Sequence, residues 1–243
     1  MIEDILAVMW KEKKSVFRYR GSRSRFLLVL LTPVLMAVVL PWQWGVEWVR
    51  QVPSVVISFI IPIVVVGITV PDSFAGERER HTLGTLLASR LPDRAILFGK
   101  LIVSVVFAWA VTLVVLLASL ITVNIIFWEG DLILYTPVVA FADLTLSFLA
   151  AVLFASTGVL VSMRAQTVQQ AAQLLMSIFL VPGMLLQVGL FVGLTQFRPL
   201  FDRLASYDGR ILVAIVLAVL IVLGAAVLGA AVATFRRSRL VLS

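Results

Sequence analysis

Residues 76–94 read GERERHTLGTLLASRLPDR, Gly76 to Arg94, and lie between two long apolar runs. Burying Glu77, Arg78, Glu79, Arg80, Arg90, Asp93 and Arg94 in hydrocarbon would cost on the order of 15 to 20 kcal/mol on an insertion scale. The stretch therefore stands outside the bilayer that the flanking runs are long enough to cross. Yet Leu83, Leu86, Leu87 and Leu91 recur at i, i+3, i+4 and i+8, which is one face of a short helix. Thr82 is placed to N-cap that helix, Pro92 to end it, and Asp93 to cap the helix that follows. A solvated tether has no use for a leucine face, so the face either lies on the membrane surface or docks into a groove of a partner protein.

Composition sets the wider frame. Of 243 residues, 61% are hydrophobic and 14% charged, against roughly half and a quarter in soluble domains. The chain reads as an all-α polytopic membrane protein, with residues 1–243 as a single transmembrane domain. Charge-free intervals locate six helices, because about 20 apolar residues cross the hydrocarbon and a central charge is costly. Allowing for helix ends, the spans run over about 26–46, 53–72, 95–127, 137–163, 168–195 and 211–235.

Six spans leave both termini on one side. That side receives Lys11, Lys13, Lys14, Arg18, Arg20, Arg23, Arg25, Arg78, Arg80, Arg90, Arg94, Lys100, Arg164, Arg236, Arg237 and Arg239, while Arg50, Arg198, Arg203 and Arg210 fall on the other. The imbalance makes both termini cytoplasmic in an inner, cytoplasmic membrane. It also accounts for the net charge of +7 without a nucleic-acid partner. Trp42, Trp44, Trp48, Trp128 and Tyr135 fall near span ends on the far side, as interfacial aromatics do.

Residues 2–17 form an amphipathic pattern, with Ile2, Ile5, Leu6, Met9, Val16 and Phe17 on one face, expected to lie along the inner membrane surface in contact with lipid. Glu3, Asp4 and Glu12 exclude a cleavable signal peptide there. Phe197, Leu200, Phe201 and Leu204 suggest a short helix on the outer interface. Pro182-Gly183, followed by Gly189 and Gly193, predicts that the outer part of span five breaks or turns back.

Catalytic constellations are nearly absent, with one histidine, no cysteine, no HExxH and no GxxxxGK[ST] phosphate loop. The chain is expected to be no enzyme, to hold no metal or cofactor, and to depend on another chain for any ATP-driven work. Asp143 is the acid that lies well within an apolar stretch. It is either a functional intramembrane acid or a residue at headgroup depth that caps or hydrates a helix end. Asn124 and Gln187, with Gln166, Gln169, Gln170 and Gln173, are candidates to line a substrate path or to bond between helices. Ala225, Gly229 and Ala233 permit close approach of another helix.

The segment Glu77 to Pro92, followed by Arg94-Ala95-Ile96-Leu97-Phe98-Gly99-Lys100, resembles the signature of type 2 ABC transporter permeases between their second and third spans. Trp10-Lys11-Glu12, the basic residues after it and Thr32-Pro33 in the first span resemble that family's opening. The resemblance implies the transmembrane subunit of an exporter that works by alternating access. It implies pairing with a second permease copy or homologue and with two ABC-type ATPase subunits, which bind ATP and Mg. Residues 77–91 would be the coupling helix at the ATPase, through Glu77, Glu79, Arg80, Thr82, Leu83, Thr85, Leu86, Leu87 and Arg90. Residues 2–20 would be the connecting helix with Trp10, Lys11 and Glu12, and 197–206 an extracellular re-entrant element. The alternative is a stand-alone six-span secondary carrier or membrane scaffold. Ion-coupled carriers use midplane charges, and here Asp143 is the nearest approach to one.

Overall fold

An apolar run in hydrocarbon must pair its own backbone N–H and C=O groups, which makes helix the default for such a sequence. The computed structural model describes residues 1–17, 23–82, 90–196 and 209–235, and every regular element among them is helical. In chain order these are α1 (Ile2–Phe17), α2 (Arg23–Trp44), a single turn α3 (Glu47–Arg50), α4 (Pro53–Glu79), α5 (Asp93–Ile126), α6 (Pro137–Ser162), α7 (Val168–Gln196) and α8 (Gly209–Thr234). Five of them, α4 to α8, contain stretches long and apolar enough to cross a membrane, and the described apolar part of α2 is the shorter Leu31–Trp44. The protein is a polytopic helical membrane protein. Leu83, Thr85, Leu86 and Leu87, the outer helix expected near 197–206 and the basic residues after Phe235 lie outside the described residues.

Helix ends follow local chemistry. Pro53 and Pro137 begin α4 and α6, where a missing N–H costs nothing and a fixed φ helps. Asp93 does not cap α5 as its sequence position suggested. Pro92 is the residue before the helix, extended at ψ 144°, and makes no side-chain cap. Because Pro92 takes the cap position, Asp93 enters the first turn, where its charge opposes the positive helix end. The break expected at Pro182-Gly183 is also absent, since α7 is one helix with Pro182 inside it. One missing N–H is tolerated within a long membrane helix whose other bonds are kept.

At the centre stands α4, packed against α5, α6 and α7; α6 also carries α8, and α5 carries α1 and α2. Ile61, Val65, Val66 and Val70 of α4 meet Ala150, Ala151, Phe154, Ala155 and Val159 of α6 in the main core. Gly158 allows three helices to converge, because a Cβ there would fall 2.9 Å from Val70 Cγ1 and 3.2 Å from Leu175 Cδ2. The Phe154 ring is packed edge-on by Phe59 and Phe179, at centroid distances of 5.5 and 4.2 Å. The outer helices are much barer. Of their apolar windows, 11% in α7 and 17% in α8 is buried, so both leave wide faces for lipid or another subunit. Ala225, Gly229 and Ala233 are exposed, and nothing lies within 4 Å of where a Gly229 Cβ would stand.

Candidate functional site

The acidic and basic residues that open the 76–94 stretch do not form a loop. They complete the last turns of α4, which runs on to Glu79. The helix can continue because its charges are met by partners on three other elements. Lys100, on the second turn of α5, is 2% exposed. Its ammonium lies 3.0 Å from Glu12 Oε1 and 3.0 Å from Glu77 Oε1, and donates to Ser73 O at 2.6 Å. Lys11 donates to the same Glu77 oxygen at 2.9 Å, and Ser73 Oγ donates to Glu12 Oε2 at 3.0 Å. Two acids and two lysines cancel, and the lysine heads with Ser73 bond three of the four carboxylate oxygens. Such closure is what makes buried charge tolerable. The Phe74 ring, 5.3 Å from Lys100 Nζ, closes one side.

The neighbouring glycine explains how α1 comes so close. A Cβ on Gly99 would fall 2.6 Å from Val8 Cγ1 and 3.2 Å from Ile5 O. Gly-Lys at 99–100 thus joins a close helix approach to the ion pair one residue on. The apolar face expected on residues 2–17 is divided as a result. Val8 and Glu12 turn into the protein, whereas Ile2, Leu6 and Trp10 are exposed, with Lys14 Nζ 4.8 Å from the Trp10 ring.

The next charges bind the turn between α6 and α7. Arg78 forks onto Ala165 O and Met163 O, each at 2.9 Å, satisfying carbonyls that the end of α6 leaves unpaired. Glu79 Oε2 accepts the Val168 N–H at 3.0 Å, at the first residue of α7, where an anion also suits the helix dipole. Arg80 reaches back to Asp72 at 3.2 Å. His81 adopts φ 56° and Thr82 N–H returns to Glu77 O at 2.9 Å, while His81 N–H reaches Arg78 O at 3.0 Å, a Schellman closure of α4. Thr82 therefore closes the preceding helix. After residue 89, Arg90 is exposed and Leu91 packs on the chain's own core, although its spacing groups it with the leucine face.

Arg78→Ala should loosen this turn. Loss of two charge-assisted hydrogen bonds, from a side chain only partly buried, is expected to cost about 1 to 2 kcal/mol. The check is the thermal unfolding midpoint of the purified chain, which Arg78→Lys should restore only in part because an ammonium cannot fork.

Other residues singled out by sequence are scattered. Asn124 donates to Leu120 O at 2.9 Å and Ile133 O at 2.8 Å and accepts Ile133 N–H at 2.9 Å, fastening the end of α5 to the 127–136 segment. With those bonds made, it serves the fold locally. Gln187 is exposed on α7, as are Gln166, Gln169, Gln170 and Gln173 near its start. Asp143 is 1% exposed, and the residue that precedes its helix is Thr136, without a side-chain cap. It lies buried in the second turn of α6 and does not occupy the cap position. The sequence marks Arg78 and Lys100 as cytoplasmic bases, with Lys100 also in the family-like Gly-Lys, but gives neither of them, nor Ser73, a place in a site. A lysine just inside an apolar run was the available signal for Lys100, and the partner acids were too far off in sequence to be matched to it.

The arrangement pairs its charges across helices. It is a mechanical junction in which the ends of α4 and α5, separated by the 83–89 segment, are braced on α1 and on the start of α7. No curated protein sequence matches the chain. The family model described as ABC-2 family transporter protein matches residues 6–199, from α1 through α7. That match covers most of the sequence and takes in the whole ion cluster, and the chain belongs to the ABC-2 transporter family as a membrane component.

Proposed function

We propose that the chain is the permease subunit of an ATP-driven exporter, with six spans, both termini in the cytoplasm, and residence in the cytoplasmic membrane. The observation that carries this reading is the bracing on either side of residues 83–89. A push on that segment meets α4 through Glu77 to Thr82 and α5 through Leu91 to Lys100. The ion cluster passes it to α1, and Arg78 and Glu79 pass it to α7. A lipid-resting loop has no need of such joints. Two ATPase subunits, holding ATP and Mg, would dock on the leucine face of 83–87 together with Thr85 and Arg90. The lysine and arginine imbalance supports the same orientation, since it places the stretch on the cytoplasmic side.

A second permease copy or homologue would cover the bare sides of α7 and α8. Gln170, Gln173 and Ser177 fall on one exposed stripe of α7, Gln166 is exposed just before the helix begins, and Gln187 is exposed further along it. Polar side chains facing lipid are costly, whereas a seam between subunits would hydrate or bond them. That seam is where substrate would cross.

The test is copurification. The tagged full chain, isolated from its native host, should bring down a protein carrying a Walker A motif and ATPase activity. Leu83→Asp, Leu86→Asp and Leu87→Asp together should reduce the recovered ATPase at least tenfold while the permease still inserts. Undiminished recovery, or no ATPase with the unaltered chain, would overturn the reading.

A further inference from the structure

The start of α5 and the end of α8 face one another across an open cleft. α5 packs on α4 and α8 on α6, which leaves about 680 Å³ between them, a volume in the range of ligand pockets. The walls change character along their length. Asp93 and Arg94 stand at the helix end, whereas Phe98, Leu228 and Val232, with Ala225, Gly229 and Ala233, make the remainder apolar. From position 225 to 233 the floor runs about 12 Å along the helix, against about 15 Å for the hydrocarbon of one leaflet. It is also uncovered, since nothing lies within 4 Å of where a Gly229 Cβ would stand.

Positive charge is available at the mouth. Arg94 is exposed and makes no ion pair among the described residues, while Asp93 already has a partner within the chain. Phe235, which also lines the cleft, is followed in sequence by Arg236, Arg237 and Arg239. A soluble anion would leave the apolar floor unfilled. A helix of another subunit would need a groove that continues across the membrane, and the cleft between α5 and α8 ends within one leaflet. A cationic mouth above an apolar floor of that depth suits a phospholipid, and a headgroup of net negative charge gains most from the arginines. We infer that this cleft is a binding site for one anionic phospholipid, with its phosphate at Arg94 and an acyl chain along Ala225, Gly229 and Ala233. The orientation proposed above, on which this point rests, places the lipid in the cytoplasmic leaflet, the side on which basic pockets between membrane helices hold anionic headgroups.

The experiment gives the purified full chain, in detergent, equimolar phosphatidylglycerol and phosphatidylcholine of matched acyl chains, and counts the lipids retained per chain by native mass spectrometry. One phosphatidylglycerol per chain should be retained, at least tenfold over phosphatidylcholine. Arg94→Gln should lower that preference about fivefold. Gly229→Leu should reduce retained phosphatidylglycerol at least tenfold by filling the floor, and should keep the thermal midpoint because the space around it is open. Arg50→Gln, at an exposed arginine on the α3 turn, should change neither quantity. Equal retention of the two lipids would overturn the site, as would retention unchanged by Arg94→Gln or by Gly229→Leu, or an equal fall with Arg50→Gln. So would a Gly229→Leu variant that loses a dimer and keeps its lipid, the mark of a subunit contact. Binding is read on the isolated chain, so its failure would leave the ATPase copurification and the export reading untouched.

Discussion

Lys100→Met should detach α1 from the rest of the protein. Glu12 and Glu77, 5% and 7% exposed, would then share a buried site with Lys11 alone, and the Lys11 side chain is half exposed. Removing one partner of a buried ion pair costs roughly 3 to 5 kcal/mol, because the remaining charge stays desolvated. Glu12 has an escape that Glu77 lacks. Its helix joins the body of the protein from outside the core, so lifting α1 hydrates the carboxylate at the cost of the Val8 contacts. The chain contains no cysteine, so Val8→Cys gives a single reporter at a position 2% exposed. Its maleimide labelling should be slow in an otherwise unaltered chain and faster by two to three orders of magnitude with Lys100→Met. Glu12→Gln added to Lys100→Met should return much of the protection, since the amide keeps a bond with Ser73 Oγ and removes the stranded charge. Protection unchanged by Lys100→Met would refute the ion pair as the fastening.

The contrast between what could and could not be read follows from the range of each interaction. Helices were legible because hydrocarbon forces internal pairing of the backbone over every apolar run, and Pro53, Pro137 and Asp93 mark their beginnings. The far end of α4 was not legible. Seven charges in nineteen residues argue correctly that the stretch leaves the membrane, but they say nothing of where the helix stops. That is settled by Lys11, Glu12 and Lys100, and by the carbonyls of Met163 and Ala165, all distant in sequence. The same limit applies to α1. Periodicity groups Ile2, Ile5, Leu6 and Met9 on one face, yet the packing axis is set by Gly99, so Val8 and Glu12 turn inward. Asp143 was visible as an acid in an apolar run, while its hydrogen-bond partners Ser54 and Ser58 belong to α4.

The two fastenings of α1 can be separated, because the second is steric. Gly99→Leu should free α1 as Lys100→Met does, but for a reason that no change of charge repairs. A Cβ at 99 would stand 2.7 Å from Val8 Cβ and 3.2 Å from the Ile5 carbonyl oxygen, besides its contact with Val8 Cγ1. The first two obstacles are fixed to the backbone of α1, so no rotamer relieves them, and the whole helix must move outward. Overpacking of this kind costs typically 1 to 3 kcal/mol, and the upper end is expected where backbone is the obstacle. Labelling of Val8→Cys should therefore rise about a hundredfold with Gly99→Leu. Glu12→Gln, which rescues Lys100→Met, should give no rescue here, since the Lys100 charge remains and has lost its distance to α1. Rescue of both variants by Glu12→Gln would mean that α1 is held by one electrostatic contact alone and that the close approach at Gly99 contributes nothing. If rescue is confined to Lys100→Met, Gly99 sets how closely α1 approaches, and Lys100 sets whether Glu12 can remain buried once it has.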